Sequence, residues 1–237
     1  MERLPWTITT PGSFETDLVH HSGPLTDGSY LHTLQLVDIA TGWSERVAVF
    51  GRSQEAMEDV FRRVLVRLPF PITHLHPDNG SEFFNNHLVR FFGTPITGLQ
   101  LSRSRPYQKN DNRFVEQKNA TLVRAYVGYQ RLETLGHFAA LNALYDDLWV
   151  YYNLFQPVLH LQQKAVVDGK LTRKWNDAKT PYQRLLGSGV LEPNQQQRLA
   201  ALYAGTNPRE LRHRIYAALD RLPHPTLSTK EMATALR

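Results

Sequence analysis

The sequence predicts an α/β protein in which helices flank a mixed, five-stranded β-sheet. Three strand-like runs come first, and a tight turn joins the second to the third, which indicates a hairpin. A helical pattern then leads into a fourth strand, a crossover that lays parallel strands side by side. A fifth strand and several long helices complete the order.

Asp17 stands in the middle of the first expected strand, residues 14–20. Asp is depleted in strand interiors, so its presence there needs an explanation. Either this is an edge strand with Asp17 facing water, or the strand holds a carboxylate rigidly where a function requires it. The next two strands are expected at residues 31–39 and 43–50.

The middle of the chain supplies the crossover and the last strands. Ser53 is the expected N-cap of the first helix, and Pro69 ends that helix. The fourth strand is expected to end at residues 72–75, and a short helix is expected at 83–92. The last strand of the sheet is expected at residues 96–101.

Asp78 lies in the turn 77–80 that is expected to stop the fourth strand, at the strand end where open α/β sheets bind ligands. The same Pro-Asp-Asn-Gly run suits an ordinary type I turn, which leaves a turn-forming role open. Asp38 is a second strand-end acid, and we assign it to the hairpin turn. We assign His76 to a structural hydrogen bond.

Glu116 lies in a helical pattern that begins at Asn112, and its spacing to Asn119 puts both on one face. A glutamate on a helix is usually a solvated surface residue. Glu116 either balances the charge of the bases around it or holds a metal ion where a phosphate backbone arrives. Those bases are Arg103, Arg105, Lys109, Arg113, Lys118 and Arg124.

A basic hairpin is expected after a long helix, residues 135–155, whose aromatic residues we place in the core. The strands of the hairpin are expected at residues 161–167 and 171–175, on either side of the Asp-Gly turn signal at 168–169. The bases of this region contact a phosphate backbone or form a solvated surface. They are Lys164, Lys170, Arg173, Lys174 and Lys179.

Charge is distributed unevenly along the 237 residues, whose formal net charge is +5. Residues 1–100 hold 7 Lys and Arg against 11 Asp and Glu, and residues 101–237 hold 20 against 11. An acidic half joined to a basic half suggests nucleic acid as a partner. The lack of cysteine excludes disulfides and thiolate zinc sites. No apolar run reaches membrane length and no signal-peptide core is seen, so we expect a cytoplasmic protein.

Three runs resemble the catalytic core of integrases and of bacterial insertion-sequence transposases. They are Phe-Glu-Thr-Asp17, His-Pro-Asp78-Asn-Gly-Ser-Glu-Phe and Lys-Asn-Asp-Asn-Arg-Phe-Val-Glu116-Gln-Lys-Asn. The similarity covers about residues 10–155, and the second and third runs are specific when they occur together. The resemblance implies a ribonuclease-H-like fold in which Asp17, Asp78 and Glu116 are the catalytic acids and the metal ligands.

The same resemblance implies two Mg²⁺ or Mn²⁺ ions, since hard cations prefer oxygen ligands and a pair can hold attacking and leaving oxygens in line. The implied activity is DNA strand cleavage and strand transfer by a homo-oligomer on double-stranded DNA, associated with the bacterial nucleoid. A plain nuclease of the same fold and a catalytically inactive DNA-binding remnant are the alternatives. The residues expected to bind DNA are Arg103, Arg105, Lys109, Asn112, Arg113, Asn119, Lys164, Lys170, Arg173 and Lys174.

Two features depart from the pattern of the family. Between Asp78 and Glu116 lie 37 residues, two more than in the best-known form, and a connecting loop accommodates such a difference. Ala120 and Val123 stand where integrases carry lysines, which leaves the residues that contact DNA open.

Members of the family usually place a DNA-binding region before the core, so we expect a truncated or split form. In the C-terminal part, a capping box at Thr180 opens a helix that Gly187 is expected to end. We divide the chain into a tail or remnant of an upstream region at 1–13, the integrase-like catalytic core at 14–157, a basic DNA-contacting appendage at 158–222 and a loose tail at 223–237.

Overall fold

The computed structural model describes residues 4–5, 7–24, 27–77, 98–102, 104–105, 111–167 and 169–222. The main sheet consists of β1 (Ser13–His20), β2 (Leu31–Asp38), β3 (Ser44–Phe50), β4 (His74–Pro77) and β5 (Gln100–Leu101). The strand order is β3-β2-β1-β4-β5. The first three strands are antiparallel neighbours, and β4 is parallel to both β1 and β5. This is the mixed five-stranded sheet that the sequence predicts.

Strand β1 is central, because β2 and β4 pair with its two edges. Successive residues of a strand face opposite sides of the sheet. Phe14 and Leu18 belong to a buried apolar cluster on one side, so Glu15 and Asp17 face the other side. An edge position for the strand of Asp17 is thereby excluded.

Helix α1 (Gln54–Arg67) covers the first side of the sheet. As predicted, the Ser53 side chain caps it, accepting a hydrogen bond from the Ala56 N–H at 3.2 Å. Because apolar residues recur with the helical period, one face of α1 is apolar and packs on the strands. Its buried residues are Met57, Val60, Phe61 and Val64.

Strand β4 extends further than expected. Pro77 lies in the strand opposite Thr16, not in the turn that was predicted to begin there. The ring removes the N–H of Pro77, but its carbonyl still accepts a hydrogen bond from the Ser104 N–H at 3.2 Å, so pairing continues. The helix expected at 83–92 lies outside the described residues.

Helical segments cover the opposite side of the sheet. They are α2 (Arg113–Lys118), a π-helical stretch (Asn119–Arg124), α3 (Ala125–Val127), α4 (Leu135–Val150) and a second π-helical stretch (Tyr151–Phe155). Tyr145 of α4 and Tyr152 of the second π-helical stretch are buried. The placement of these aromatic residues in the core is therefore confirmed. None of the helices that the structure describes is long and apolar enough to cross a bilayer.

The C-terminal part begins with the predicted hairpin and ends with helices. Its elements are β6 (Leu161–Val167), β7 (Lys170–Trp175), α5 (Pro181–Ser188), α6 (Pro193–Gly205) and α7 (Pro208–Leu219).

The helix α5 has the predicted start and a different end. The capping box at Thr180 is confirmed. The predicted end at Gly187 is wrong: Gly189 ends the helix with φ of 71°, a left-handed conformation that costs glycine little. Helix α6 was not predicted, since its first turn is polar and only Leu199 is buried.

Candidate active site

Asp17 is held in the middle of the central strand. Its Oδ1 accepts a hydrogen bond from the Leu18 N–H at 2.7 Å, and its Oδ2 accepts one from Asn119 Nδ2 at 2.6 Å. Burial raises the pKa of the Asp17 carboxyl group above its ordinary value, and the two hydrogen bonds oppose that shift. These contacts give Asp17 one fixed orientation.

Glu15 lies two residues before Asp17 on the same side of β1, and the sequence analysis did not single it out. The residue is only 1% exposed. Its Oε2 accepts hydrogen bonds from the N–H groups of Phe114 at 2.7 Å and Val115 at 3.0 Å. First-turn N–H groups have no partner within a helix, so Glu15 attaches the start of α2 to β1. A second acid at a spacing of two in the strand was the signal that could have found it.

Glu116 lies in the first turn of α2 and is exposed. Asn119 follows it by three residues, a spacing that makes side chains neighbours on a helix surface. Glu15 holds the beginning of this helix and Asn119 holds its continuation. The segment that carries Glu116 is therefore docked on the part of β1 that carries Asp17.

The helix changes from α to π geometry at Asn119, directly after the turn of Glu116. π-Helical stretches are rare in proteins, but those that occur are often located at functional sites. Oδ1 of Asn119 is buried without a hydrogen-bond partner in the described part of the chain, as are both side-chain polar atoms of Asn112. Because folded proteins satisfy most buried polar atoms, these atoms mark positions where a further polar group would be stabilised.

Asp78 lies outside the described residues. Pro77, which immediately precedes it, pairs in register with Thr16, which immediately precedes Asp17. The described parts of β1 and β4 thus run parallel up to the residues just before two of the three predicted acids.

His76 and Asp38 have the structural roles assigned to them. His76 Nδ1 is 2.7 Å from the Ser102 hydroxyl. Asp38 accepts hydrogen bonds from the Gly12 N–H at 2.8 Å and from the N–H and hydroxyl of Thr41 at 2.8 and 2.6 Å. Burial raises the pKa of Asp38 to about 6. Through these hydrogen bonds Asp38 connects the hairpin turn, which contains Thr41, to the segment before β1, which contains Gly12.

The predicted DNA-binding bases occupy different kinds of position. Arg105 donates to Asp111 from Nε at 2.8 Å and from Nη2 at 2.9 Å, and these bonds hold the pKa of Asp111 at about 2. The guanidinium carbon of Arg113 lies 4.7 Å from the ring centroid of Phe114. The exposed bases on the hairpin are Lys164, Lys170, Arg173 and Lys174. Two further bases, Arg103 and Lys109, lie outside the described residues.

A metal ion would need oxygen ligands from the predicted acids. Within the described ranges, no three His, Cys, Asp or Glu side chains form a group that could hold a metal ion. These ranges include Asp17 and Glu116 but not Asp78. The Asp17 carboxylate suits a divalent cation, since a buried carboxylate is costly without an opposite charge and Mg²⁺ prefers oxygen ligands.

Comparison with known proteins finds one curated relative and several similar folds. No family model matches the chain. Uncharacterized protein y4rM of Sinorhizobium fredii is 38% identical over 179 residues, 76% of this chain. The chain spans 51% of that relative's length.

Three solved structures resemble the chain. The catalytic core domain of BIV integrase has a TM-score of 0.47 and 18% identity, over 75% of this chain and 95% of that one. The simian T-cell lymphotropic virus intasome with PP2A regulatory subunit B56 gamma has a TM-score of 0.49 and 13% identity, over 73% and 69%. The HTLV-2 integrase catalytic core domain in complex with magnesium has a TM-score of 0.47 and 13% identity, over 63% and 91%.

Proposed function

We propose that this chain is the catalytic core of a DDE-type transposase or integrase, which cleaves and joins DNA strands with divalent metal ions. The observation that carries the proposal is the hydrogen bond from Asn119 to Asp17. It attaches the helix of Glu116 to the strand of Asp17, so two acids far apart in the sequence belong to one region of the fold.

Asp78 is the third acid of the proposal. Its support is the register of β1 and β4, in which the last residue of β4 lies beside the residue that precedes Asp17. Ligands of open α/β sheets bind at such strand ends.

The acids Asp17, Asp78 and Glu116 would hold Mg²⁺ or Mn²⁺. Such ions supply charge neutralisation for a phosphodiester and stabilise the attacking and leaving oxygens. The remaining contribution of the chain is orientation, because Asn119 holds Asp17 and Glu15 holds the helix of Glu116. Groups held in position before reaction need no reorganisation when charge develops.

Double-stranded DNA is the proposed substrate, bound by a homo-oligomer. The exposed bases of the β6–β7 hairpin can contact phosphates, whose recognition is electrostatic and independent of sequence. The bases near α2 would position the strand at the acids. An insertion sequence is the element that we expect such a core to move.

The test is incubation of the full chain with Mg²⁺ or Mn²⁺ and labelled duplexes that carry candidate element ends. We expect metal-dependent cleavage and joined products, both lost in Asp17→Asn, Asp78→Asn and Glu116→Gln with DNA binding retained. Asp59→Asn, which changes an exposed acid on α1, is the matched control and should keep wild-type activity. DNA binding without any metal-dependent product would overturn the proposal, and cleavage without joined products would limit the activity to that of a nuclease.

A further inference from the structure

A cavity of about 280 Å³ lies between helix α2 and the base of the β6–β7 hairpin. Phe114 and Trp175 form the aromatic part of its wall, and Trp175 is 48% exposed. Concave sites with apolar walls and a few converging polar groups are where proteins bind small ligands. The residues of the wall that matter here are Arg113, Phe114, Gln117, Lys118, His160 and Trp175.

The polar part of the wall is rich in hydrogen-bond donors. Nη1 and Nη2 of Arg113 are buried and have no hydrogen-bond partner among the described residues. Gln117 lies one turn further along the same helix surface. Burial lowers the pKa of His160 to about 4, so its imidazole is neutral at pH 7.

The cavity and the proposed acid Glu116 share helix α2. An α-helix turns by about 100° per residue, which places Glu116 about 60° from Arg113, at the edge of the cavity wall, and about 160° from Phe114 around the axis. A DNA strand that is held at Glu116 and passes Arg113 would bring a neighbouring nucleotide to the cavity.

We propose that this cavity binds one unpaired nucleobase of the DNA strand held at the acids, an inference that rests on the proposed function. Trp175 supplies an aromatic surface for stacking, which is tolerant of base identity, and Phe114 adds to the apolar wall. Arg113, Gln117 and Lys118 donate to acceptors on the edge of the base, a pattern that favours guanine with its O6 and N7. At about 280 Å³ the cavity is slightly smaller than sites for drug-sized ligands, which measure roughly 300–1,000 Å³, so it suits a smaller ligand such as one base. A bound phosphate alone would leave the aromatic walls without a partner.

The test compares the affinity of the full chain for two labelled duplexes by fluorescence anisotropy. One duplex ends in an unpaired dG, and the other has an abasic residue at the same place. We expect about tenfold tighter binding of the dG duplex, a ratio within the range of one base–aromatic stack. Trp175→Ala and the conservative Phe114→Leu should each bring the ratio close to one without changing the affinity for a blunt duplex.

Tyr216→Ala is the matched control, because Tyr216 is an aromatic residue of similar exposure, 49%, on helix α7. It should keep the wild-type ratio. Equal affinity of the wild-type chain for the two duplexes would overturn the inference, and so would a ratio that survives in both cavity variants.

Cleavage assays on the same proteins separate this inference from the proposed function. Metal-dependent cleavage without any base preference would support the proposed function and overturn the inference of a base-binding cavity. A base preference that Trp175→Ala abolishes, in a chain that never cleaves, supports the base site and overturns the enzyme.

Discussion

The side-chain amide of Asn119 donates a hydrogen bond to the carboxylate of Asp17 across 2.6 Å, and this contact joins a helix to the central strand of the sheet. Asn119 is the first residue of a π-helical stretch. The placement of the proposed acid Glu116 relative to Asp17 therefore depends on a neutral side chain and on a rare helix geometry.

Asn119→Ala should lower metal-dependent cleavage about 10- to 100-fold, the range found when a partner of a metal ligand is removed. The concentration of Mg²⁺ needed for half-maximal rate should rise, because Asp17 loses the bond that orients it. The measurement is the initial cleavage rate as a function of Mg²⁺ concentration. Thr121→Ala changes an exposed residue of the same π-helical stretch and should behave like the wild type. Equal rates for the two variants would contradict this role of Asn119.

Glu15→Ala should lower the free energy of unfolding by about 2 kcal/mol, since two N–H groups at the start of α2 lose their acceptor in a buried place. Glu15→Gln keeps an oxygen acceptor and should cost less. Urea denaturation gives both values, with Glu55→Ala in the exposed first turn of α1 as the control. A loss for Glu15→Ala no larger than that of the control would show that the bonds do not hold the helix.

Glu45 is the common acceptor of three donors, Trp43 Nε1 at 2.9 Å, Trp149 Nε1 at 2.6 Å and Arg67 Nε at 2.6 Å. Glu45→Ala should cost about 3–5 kcal/mol, because it leaves buried donors without an acceptor. Asp146 is the exposed partner of the same arginine at 3.0 Å, and Asp146→Ala should cost at most about 1 kcal/mol. Comparable losses for the two variants in urea denaturation would contradict the difference in burial.

Stability should fall as the solution is acidified below neutrality. Burial lowers the pKa of His21 and of His32 to about 3. A histidine in the unfolded chain has a pKa near 6.5. Below that pH the unfolded chain binds protons that the folded chain does not bind, so stability is lost progressively down to about pH 3. Asp38, with its pKa raised to about 6, acts in the opposite sense, since its contribution is lost as the pH rises through 6. Burial also lowers the pKa of His160, to about 4, and raises that of Asp17. The three histidines outweigh the two carboxylates.

His32→Phe tests this pH dependence. The ring of His32 packs against those of His20 and Tyr30, with centroids 4.7 and 4.8 Å away, and phenylalanine keeps that packing. The backbone of Tyr30 opposes the pKa shift of His32 by hydrogen bonding, and the variant loses at most this one bond. Its urea midpoint should fall less between about pH 7 and pH 5 than that of the wild type. His213→Phe, at an exposed position, should keep the wild-type dependence.

The hairpin bases should contribute to DNA binding without regard to sequence. Lys164 and Arg173 are cross-strand partners on β6 and β7. Replacing both by glutamine should weaken binding to unrelated duplexes equally and reduce the slope of log K against log salt by about two, one for each phosphate that is no longer neutralised. Arg209→Gln on the exposed surface of α7 is the control. A slope that stays unchanged in the double variant would exclude the hairpin from the DNA interface.

Much of the fold could be predicted because local chemistry decides it. The cap at Ser53, the hairpin of β2 and β3 and the hairpin of β6 and β7 all appear where turn residues and hydrophobic period placed them. The errors also have local causes. Gly187 and Gly189 are both acceptable ends of α5, and only the backbone path selects the second. Helix α6 was not predicted because its first turn is polar and its apolar face is narrow, which weakens the helical hydrophobic pattern.

Sequence patterns are enough to predict the α/β class, the order of the strands along the chain and the acids to test. The packed fold was needed to show that β1 is central, that Glu15 attaches α2 to it, and that Asn119 contacts Asp17 across 102 positions of sequence. The reason is physical. Hydrophobic period and turn chemistry act over a few residues, whereas these contacts depend on which side of a strand meets which turn of a helix, and that is settled only when the sheet and its helices pack together.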